Sequence, residues 1–196
     1  EGNIEFTGTT EVTRTDAGTT NMNLDADQFS NTSANFTNVE FVIESDGYVK
    51  VEPKAVTVTV NGDTTTATYD GNPHTATGYT YDIEDELYAE SNIQGPAETT
   101  ISRTIEGTTN MGLAASQFSN ESANFNVTFT VNDGYVKINP VEEKVTVTVT
   151  GNKVTETYDG NPHTATGYTV NISNPLYAEG NIEFTGTTEV TRTDAG

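Results

Sequence analysis

The amino-acid sequence predicts an all-β chain made of tandem immunoglobulin-like β-sandwich units. Valine and threonine alternate strictly in Val56–Val60 and again in Val145–Val149, which places one residue type on each face of a strand. Asp-Gly and Asn-Pro pairs, which favour turns, separate such runs. Threonine occurs 38 times and only 33% of residues are apolar, a composition that suits sheets with one buried and one solvated face.

The chain is internally repetitive. Its first 18 residues, Glu1–Gly18, recur unchanged as Glu179–Gly196. A second match, at half that spacing, joins Thr68–Thr80 to Thr157–Thr169, 89 residues later. Because Glu90–Gly107 differs from Glu1–Gly18 at most positions, we expect two unlike units of about 89 residues to alternate.

Each unit is expected to open with two strands. In the central unit these are Val56–Val60 and Thr64–Tyr69, joined by a turn at Asn61–Asp63. The segment that follows, Thr68–Thr80 (TYDGNPHTATGYT), carries Asp-Gly and Asn-Pro and is predicted to connect strands. The equivalent strands and turn in the last part of the chain are Val145–Val149, Lys153–Tyr158 and Thr150–Asn152.

Two more strands are expected to close each unit. Asn126–Val131 alternates, Asp133-Gly134 turns the chain into Tyr135–Ile138, and Pro140 ends that strand because proline cannot donate to a ladder. The equivalent elements near the start of the chain are Val39–Ile43, Tyr48–Val51 and Pro53. The chain therefore divides into the back half of a unit (1–53), a complete unit (54–140) and the front half of the next (141–196).

One short segment in each unit lacks alternation. Met22–Phe29 and Met111–Phe118 predict a single helical turn or an irregular crossover, held to the core by Leu and Phe. This turn makes β-grasp-like units with one short helix the alternative fold.

Composition limits the function. The formal net charge of -21 would repel phosphate backbones and disfavours nucleic acid as a partner. No apolar run approaches the roughly 20 residues that span a bilayer, so we expect any membrane anchor to lie outside this sequence. The absence of cysteine excludes disulfides and thiolate chemistry, and is compatible with an extracellular location.

No catalytic, cofactor-binding or metal-binding residues are predicted. His74 and His163 are the only histidines and occupy one equivalent position in two units, which disfavours a dyad or a multi-histidine metal site. Calcium is possible at Asp25 with Asp27, or at Glu84–Glu86, but neither cluster recurs at the 89-residue spacing.

The sequence contains candidate residues for two kinds of modification. Lys50 and Lys137 recur in the last strand of their units, where a Lys–Asn cross-link would need a buried lysine. Their alternation with Val49 and Val51 predicts outward side chains that protect a sheet edge instead. Glycosylation sequons occur at five asparagines, Asn31, Asn35, Asn120, Asn126 and Asn171, and their occupancy depends on the source.

The motifs together resemble a known family. A VTVTV start, the TYDGNPHTATGY segment, RTDAGTT at Arg14–Thr20 and a DGYVKI-x-P close are similar to the glycine-rich MBG-type tandem repeats of large bacterial surface adhesins and secreted repeat proteins. The resemblance covers the whole chain and implies stalk or spacer modules without an active site. The second unit departs from it at Ile105 and Glu106, which stand where the first has Asp16 and Ala17.

The expected function is therefore structural and non-enzymatic. The chain is interpreted as a segment of an extracellular stalk or fibre whose partners are neighbouring units of the same chain or fibre. The alternative is a multivalent adhesion module that binds a glycan or host protein through turns such as Asp70–His74, with repetition supplying avidity.

Overall fold

The computed structural model describes residues 2–196. Within them, strands account for 41% of the chain and helical turns for 6%, which confirms the all-β class. The helical elements in this range are 3-10 turns of three residues each.

Residues 2–53 form two small antiparallel sheets. Their strands are β1 Ile4–Phe6, β2 Gly18–Asn21, β3 Phe29–Asn31 and β4 Tyr48–Val51, with a 3-10 turn at Ala26–Gln28. β1 pairs with β3 and β2 pairs with β4. The helical turn predicted within Met22–Phe29 is present, and Asp25 caps it by accepting a hydrogen bond from Asp27 N at 3.0 Å.

Residues 54–140 contain the longest strands. They are β5 Lys54–Gly62, β6 Thr64–Thr68, β7 His74–Thr77, β8 Tyr79–Ile83, β9 Ile93–Gln94, β10 Thr100–Arg103, β11 Gly107–Asn110, β12 Ser119–Asn120, β13 Phe125–Asn132 and β14 Tyr135–Asn139, with 3-10 turns at Glu90–Asn92 and Ala115–Gln117. The four strands predicted here are all present. The prediction for Thr68–Thr80 was wrong beyond Pro73, because His74–Thr77 alternates and buries Ala76.

Residues 141–196 are less regular. Their strands are β15 Val147–Gly151, β16 His163–Thr166, β17 Tyr168–Ile172 and β18 Glu189–Arg192, with a 3-10 turn at Glu179–Asn181. β15 pairs with β17 and β16 with β18, both antiparallel.

Two predicted strands are not formed in the described part of the chain, Val39–Ile43 and Lys153–Tyr158. Their equivalents β13 and β6 are both paired, β13 with β5 and β6 with β14. A strand is stabilised by ladder hydrogen bonds and cross-strand contacts. Alternation of apolar and polar residues therefore does not form a strand by itself where the described chain supplies no partner strand.

The central sheet has the order β13–β5–β8. β5 pairs with β8 antiparallel and with β13 in parallel, in a continuous register from Phe125 opposite Lys54 to Asn132 opposite Asn61. The remaining sheets have the orders β7–β10, β9–β12 and β6–β14–β11.

The chain separates into two compact units. The first holds the described residues through Thr65 together with Thr75–Ser102 and Thr109–Val136, and the second holds Thr66–His74, Arg103–Thr108 and Lys137–Gly196. The boundaries at 53/54 and 140/141 predicted from the repeat stay a prediction.

The best-defined core lies in the first unit. Val56, Val58 and Tyr88 are 6%, 0% and 3% exposed, as the alternation of Val56–Val60 predicts. Half-buried apolar side chains pack against them: Tyr81, Ile83, Ile93, Phe125, Val127 and Phe129. This burial excludes water from the ladder between β5 and β13 and holds the sheet together.

Candidate functional site

The Asp-Gly-Asn-Pro-His turn is a recurrent feature whose aspartate, glycine, asparagine and proline are exposed. At Asp70–His74, Asn72 N donates to Asp70 Oδ1 at 2.9 Å, and His74 Nε2 lies 3.1 Å from the same oxygen. Gly71 has a φ of +80°, in the left-handed region that glycine adopts without strain. The sequence therefore encodes an Asx-type turn closed by an Asp–His pair.

The second copy of this turn has the same geometry. At Asp159–His163, Asn161 N donates to Asp159 Oδ1 at 2.9 Å, and His163 Nε2 lies 3.0 Å from it. Hydrogen bonds from the asparagine, first from its backbone N–H, lower the pKa of Asp70 and of Asp159, and the histidines contribute in the same direction. Each histidine is thus bonded to the aspartate of its own turn.

The other Asp-Gly pairs hold loops in place. Asp46 accepts hydrogen bonds from Asn23 N and Leu24 N at 3.0 and 2.9 Å. Asp133 does the same with Gly112 N and Leu113 N at 3.1 and 2.9 Å. These carboxylates fix the loops that precede the 3-10 turns, which is a structural role.

Two of the candidate calcium ligands, Asp25 and Asp85, are engaged in local contacts. Asp25 caps its 3-10 turn, while Asp85 accepts from Leu87 N at 2.9 Å and forms an ion pair with Lys54. The Lys54 bond lowers the pKa of Asp85 most, followed by the Leu87 bond. Among residues 2–196, no group of three or more His, Asp or Glu side chains is placed to hold a metal ion.

The two recurrent lysines face solvent. Lys50 and Lys137 are exposed between half-buried or buried neighbours, as the alternation predicts. Lys50 forms an ion pair with Glu52 at 2.5 Å, which raises the Lys50 pKa. A Lys–Asn cross-link needs a buried lysine, so this geometry does not favour one.

Two of the five sequon asparagines are structural. Asn120 Nδ2 donates to the carbonyls of Ser122 and Phe125, both at 2.8 Å, and its Oδ1 accepts from Tyr88 Oη at 2.9 Å. Asn31 Nδ2 makes the equivalent bond to Phe36 O at 2.5 Å. A glycan replaces one hydrogen of the amide nitrogen, so neither Asn120 nor Asn31 could keep both of the bonds that its nitrogen donates.

A recurrent arginine-glycine loop was not predicted from the sequence. Arg14 Nε and Nη2 donate to the carbonyls of Asp16 and Ala17 at 2.7 and 2.6 Å, and Arg192 donates to Asp194 and Ala195 at 2.7 and 3.3 Å. Gly18 and Gly107 have φ values of +129° and +122°. The R-x-x-x-G spacing at Arg14, Arg103 and Arg192 was the available signal.

A shallow cavity of about 600 Å³ lies in the last part of the chain. Its walls combine an apolar face with the Arg192 loop, and they include Val154, Tyr158, His163, Ala165, Val190 and Arg192. Val154, Tyr158 and Val190 are 48%, 63% and 68% exposed. At the central equivalent of Ala165, Ala76 is 1% exposed, so this cavity marks where the last part of the chain is less well covered.

Comparison with known proteins adds no assignment, since no family model, no curated protein and no solved structure matches this chain. In residues 2–196, no helix is long and apolar enough to cross a membrane.

Proposed function

We propose that this chain is a structural segment of an extracellular stalk or fibre, in which immunoglobulin-like β-sandwich units of 89 residues follow one another without catalysis. The observation that carries the proposal is the recurrence of the same hydrogen-bonded parts along the chain: the Asp–His turn and the arginine-glycine loop at a spacing of 89 residues, and the loop held by an Asp-Gly carboxylate. Each part stabilises its own surroundings and presents no reactive group.

Contacts between successive parts of the chain favour a fibre over independent beads. Within the first compact unit, Asn124 Nδ2 donates to Asp16 Oδ1 at 2.8 Å, and Asn124 Oδ1 accepts from Ala17 N at 2.6 Å. These bonds join residue pairs more than 100 positions apart and connect the predicted back half-unit to the predicted complete unit. Nearest-neighbour contacts of this kind stiffen repeat proteins.

The proposal is tested by length. A polypeptide carrying two tandem 178-residue periods should have nearly twice the maximum dimension of one period in small-angle X-ray scattering. A compact particle whose maximum dimension grows only with the cube root of mass would overturn the stalk.

The adhesion alternative is supported by the exposure of the Asp70–His74 and Asp159–His163 turns, which present the same side chains twice. Multivalent binding would give a glycan-array or pull-down signal that rises steeply with the number of turns. Loss of that signal on substituting both histidines would assign binding to the turns, whereas absence of any signal favours the stalk.

A further inference from the structure

The Asp-Gly-Asn-Pro-His turn of the predicted central repeat, residues 54–140, touches the predicted repeat that follows it. Within the second compact unit, a Cβ built on Gly71 would lie 3.1 Å from Leu176 Cδ2, so the leucine side chain lies against the turn. We propose that this turn and the arginine-glycine loop of one repeat form a docking surface for the next repeat of the same chain, which places its leucine on the turn. The proposal rests on the stalk function and names the surface that joins successive repeats.

The leucine is positioned by a turn of its own. Asn174 Oδ1 accepts a hydrogen bond from Leu176 N at 2.9 Å. In the central repeat, Asp85 Oδ1 accepts from Leu87 N at the same distance. Side-chain acceptors of this kind fix the backbone two residues further on. Each repeat therefore presents a leucine whose position is determined by local hydrogen bonds.

The two leucines differ in coverage as this contact requires. Leu176, beside the turn at Gly71, is 39% exposed, whereas Leu87 is 73% exposed. Residues 2–53, which precede the central repeat in the described chain, contain no Asp-Gly-Asn-Pro-His sequence. The leucine of a repeat is thus covered where a preceding turn is present and open where the described chain has none.

The two copies of the turn show the reciprocal difference. Gly71 and Gly160 have nearly the same φ, +80° and +82°. A Cβ built on Gly160 would have no atom within 4 Å beyond its chain neighbours, in contrast to the Leu176 contact at Gly71. The backbone of the turn is therefore the same with and without a leucine, as expected for a preformed docking surface.

The arginine-glycine loop belongs to the same surface. The second compact unit takes two segments from the central repeat, Thr66–His74 with the turn and Arg103–Thr108 with the loop, and groups them with Lys137–Gly196. At the preceding boundary, Asp16 in the first copy of the loop accepts a hydrogen bond from Asn124 Nδ2 at 2.8 Å. At both boundaries the earlier repeat supplies the turn or loop, and the later repeat supplies the side chain that docks on it.

The leucine contact is the part that both kinds of boundary can share. The turn and the leucine are present in both unlike units, whereas Ile105 stands where the first loop has Asp16. An isoleucine side chain cannot accept the hydrogen bond that Asn124 donates to Asp16. Removing the leucine side chain from water then favours the docked arrangement at each boundary.

Thiol labelling tests the contact, because the sequence has no cysteine of its own. In the folded chain, Leu176→Cys should react several-fold more slowly with an aromatic disulfide reagent than Leu87→Cys, since position 176 is the better covered. Each rate is divided by the rate of the same variant unfolded in urea, which corrects for Pro175 and Glu86 beside the two thiols. Equal corrected rates would overturn the proposal.

A matched pair of turn variants identifies what covers position 176. Asp70→Ala removes the acceptor that shapes the turn beside Leu176, so it should speed labelling of the Leu176→Cys thiol. Asp159→Ala removes the same acceptor from the turn at Gly160 and should leave that rate unchanged. If both substitutions speed labelling equally, or neither does, the turn is not the cover and the proposal fails.

The two-period polypeptide tests whether the docking recurs. Its second copy of position 87 follows a repeat that carries the turn at Asp159–His163, whereas its first copy does not. A cysteine at the second copy should be labelled as slowly as Leu176→Cys, and a cysteine at the first copy as fast as Leu87→Cys in the single chain. Fast labelling at both copies would confine the contact to one boundary and overturn a surface common to the repeats.

The docking surface and the stalk fail separately. An extended two-period particle with equal labelling at positions 87 and 176 would retain the stalk and remove the docking surface. A compact two-period particle in which Leu176→Cys is protected would retain the docking contact and remove the stalk.

Discussion

Residues 2–18 and 180–196 have the same sequence and adopt different strands. In the first copy Ile4–Phe6 pairs with β3 and residues 11–14 form no strand, whereas in the second Glu189–Arg192 pairs with β16 and residues 182–184 form no strand. The arginine-glycine loop is present in both. Local hydrogen bonds thus depend on the sequence of the segment, while strand formation depends on the partner.

The aromatic residue of this segment shows the same contrast. Phe6 packs at 4.7 Å from the Phe29 ring and is half-buried, while Phe184 is 49% exposed and lies 5.5 Å from Tyr168. A pairing strand brings burial with it, and burial is the larger stabilising contribution.

The largest predicted effect is a difference in stability loss between β5, which has a strand on both sides, and β15, which pairs with β17. Val58→Ala should lower the free energy of unfolding by about 2–3 kcal/mol, because the side chain is fully buried between β13 and β8. Val147→Ala, at the equivalent half-buried position, should cost less than about 1 kcal/mol. Urea denaturation of both variants measures this, and equal losses would refute the difference in packing.

Two glycine substitutions test whether the arginine-glycine loop requires its glycine. Gly107→Ala should cost about 2 kcal/mol or more, because φ is +122° and an added Cβ would collide with the Arg103 guanidinium. Gly112→Ala is the matched control: φ is +78° but nothing lies within 4 Å, so about 1 kcal/mol is expected. If thermal unfolding ranks the two variants in the opposite order, the loop does not require its glycine.

Hydrogen exchange can measure directly which residues form strands in each of the two identical segments, 2–18 and 180–196. Amides of Ile4–Phe6 and Glu189–Arg192 should exchange slowly, and those of residues 11–14 and 182–184 rapidly, in NMR-detected exchange of the unchanged chain. Equal protection in the two copies would show that the segment alone determines its strands. Thr166→Pro, which disrupts β16, should abolish protection of β18 and leave β1 unaffected.

The smallest effect is the pH dependence of the Asp–His turns. The pKa values of Asp70 and Asp159 are lowered from 3.8, so the ionised carboxylates stabilise the folded state above that pH. This stabilisation is lost as the pH falls through the lowered values. In an NMR titration, Asn72→Ala and His74→Ala should each raise the pKa of Asp70 only part of the way to its ordinary value, because both keep the backbone N–H bond of residue 72, which lowers it most. Full recovery of the ordinary pKa in either variant would contradict this order of causes.

Elements with nearby partners could be predicted from the sequence. The alternation of Val56–Val60 and Asn126–Val131 identified β5 and β13, and the lack of alternation in Met111–Phe118 identified its helical turn. The same reasoning failed for Val39–Ile43 and Lys153–Tyr158, because alternation describes a face and does not provide a neighbour. It also missed the strand in His74–Thr77, since turn formers before it dominated the interpretation.

The candidate site was less predictable than the fold. Composition and histidine count disfavoured a metal or nucleophile, but they could not identify the arginine-glycine loop or the bonded state of Asn120. Both depend on carbonyl groups whose positions follow from backbone conformation.

The hydrogen bonds of the Asp-Gly carboxylates also affect the chemical stability of the chain. Among aspartyl dipeptides Asp-Gly is the most prone to isomerise, because the small glycine lets its backbone nitrogen attack the carboxyl carbon of the aspartate side chain. All four Asp-Gly pairs of this sequence, at Asp46, Asp70, Asp133 and Asp159, have carboxylates that accept backbone N–H bonds from other residues. Each carboxylate is bonded to another donor and is thereby held away from the nitrogen of its own glycine, so the bonds that shape the loops should also slow isoaspartate formation at these four positions.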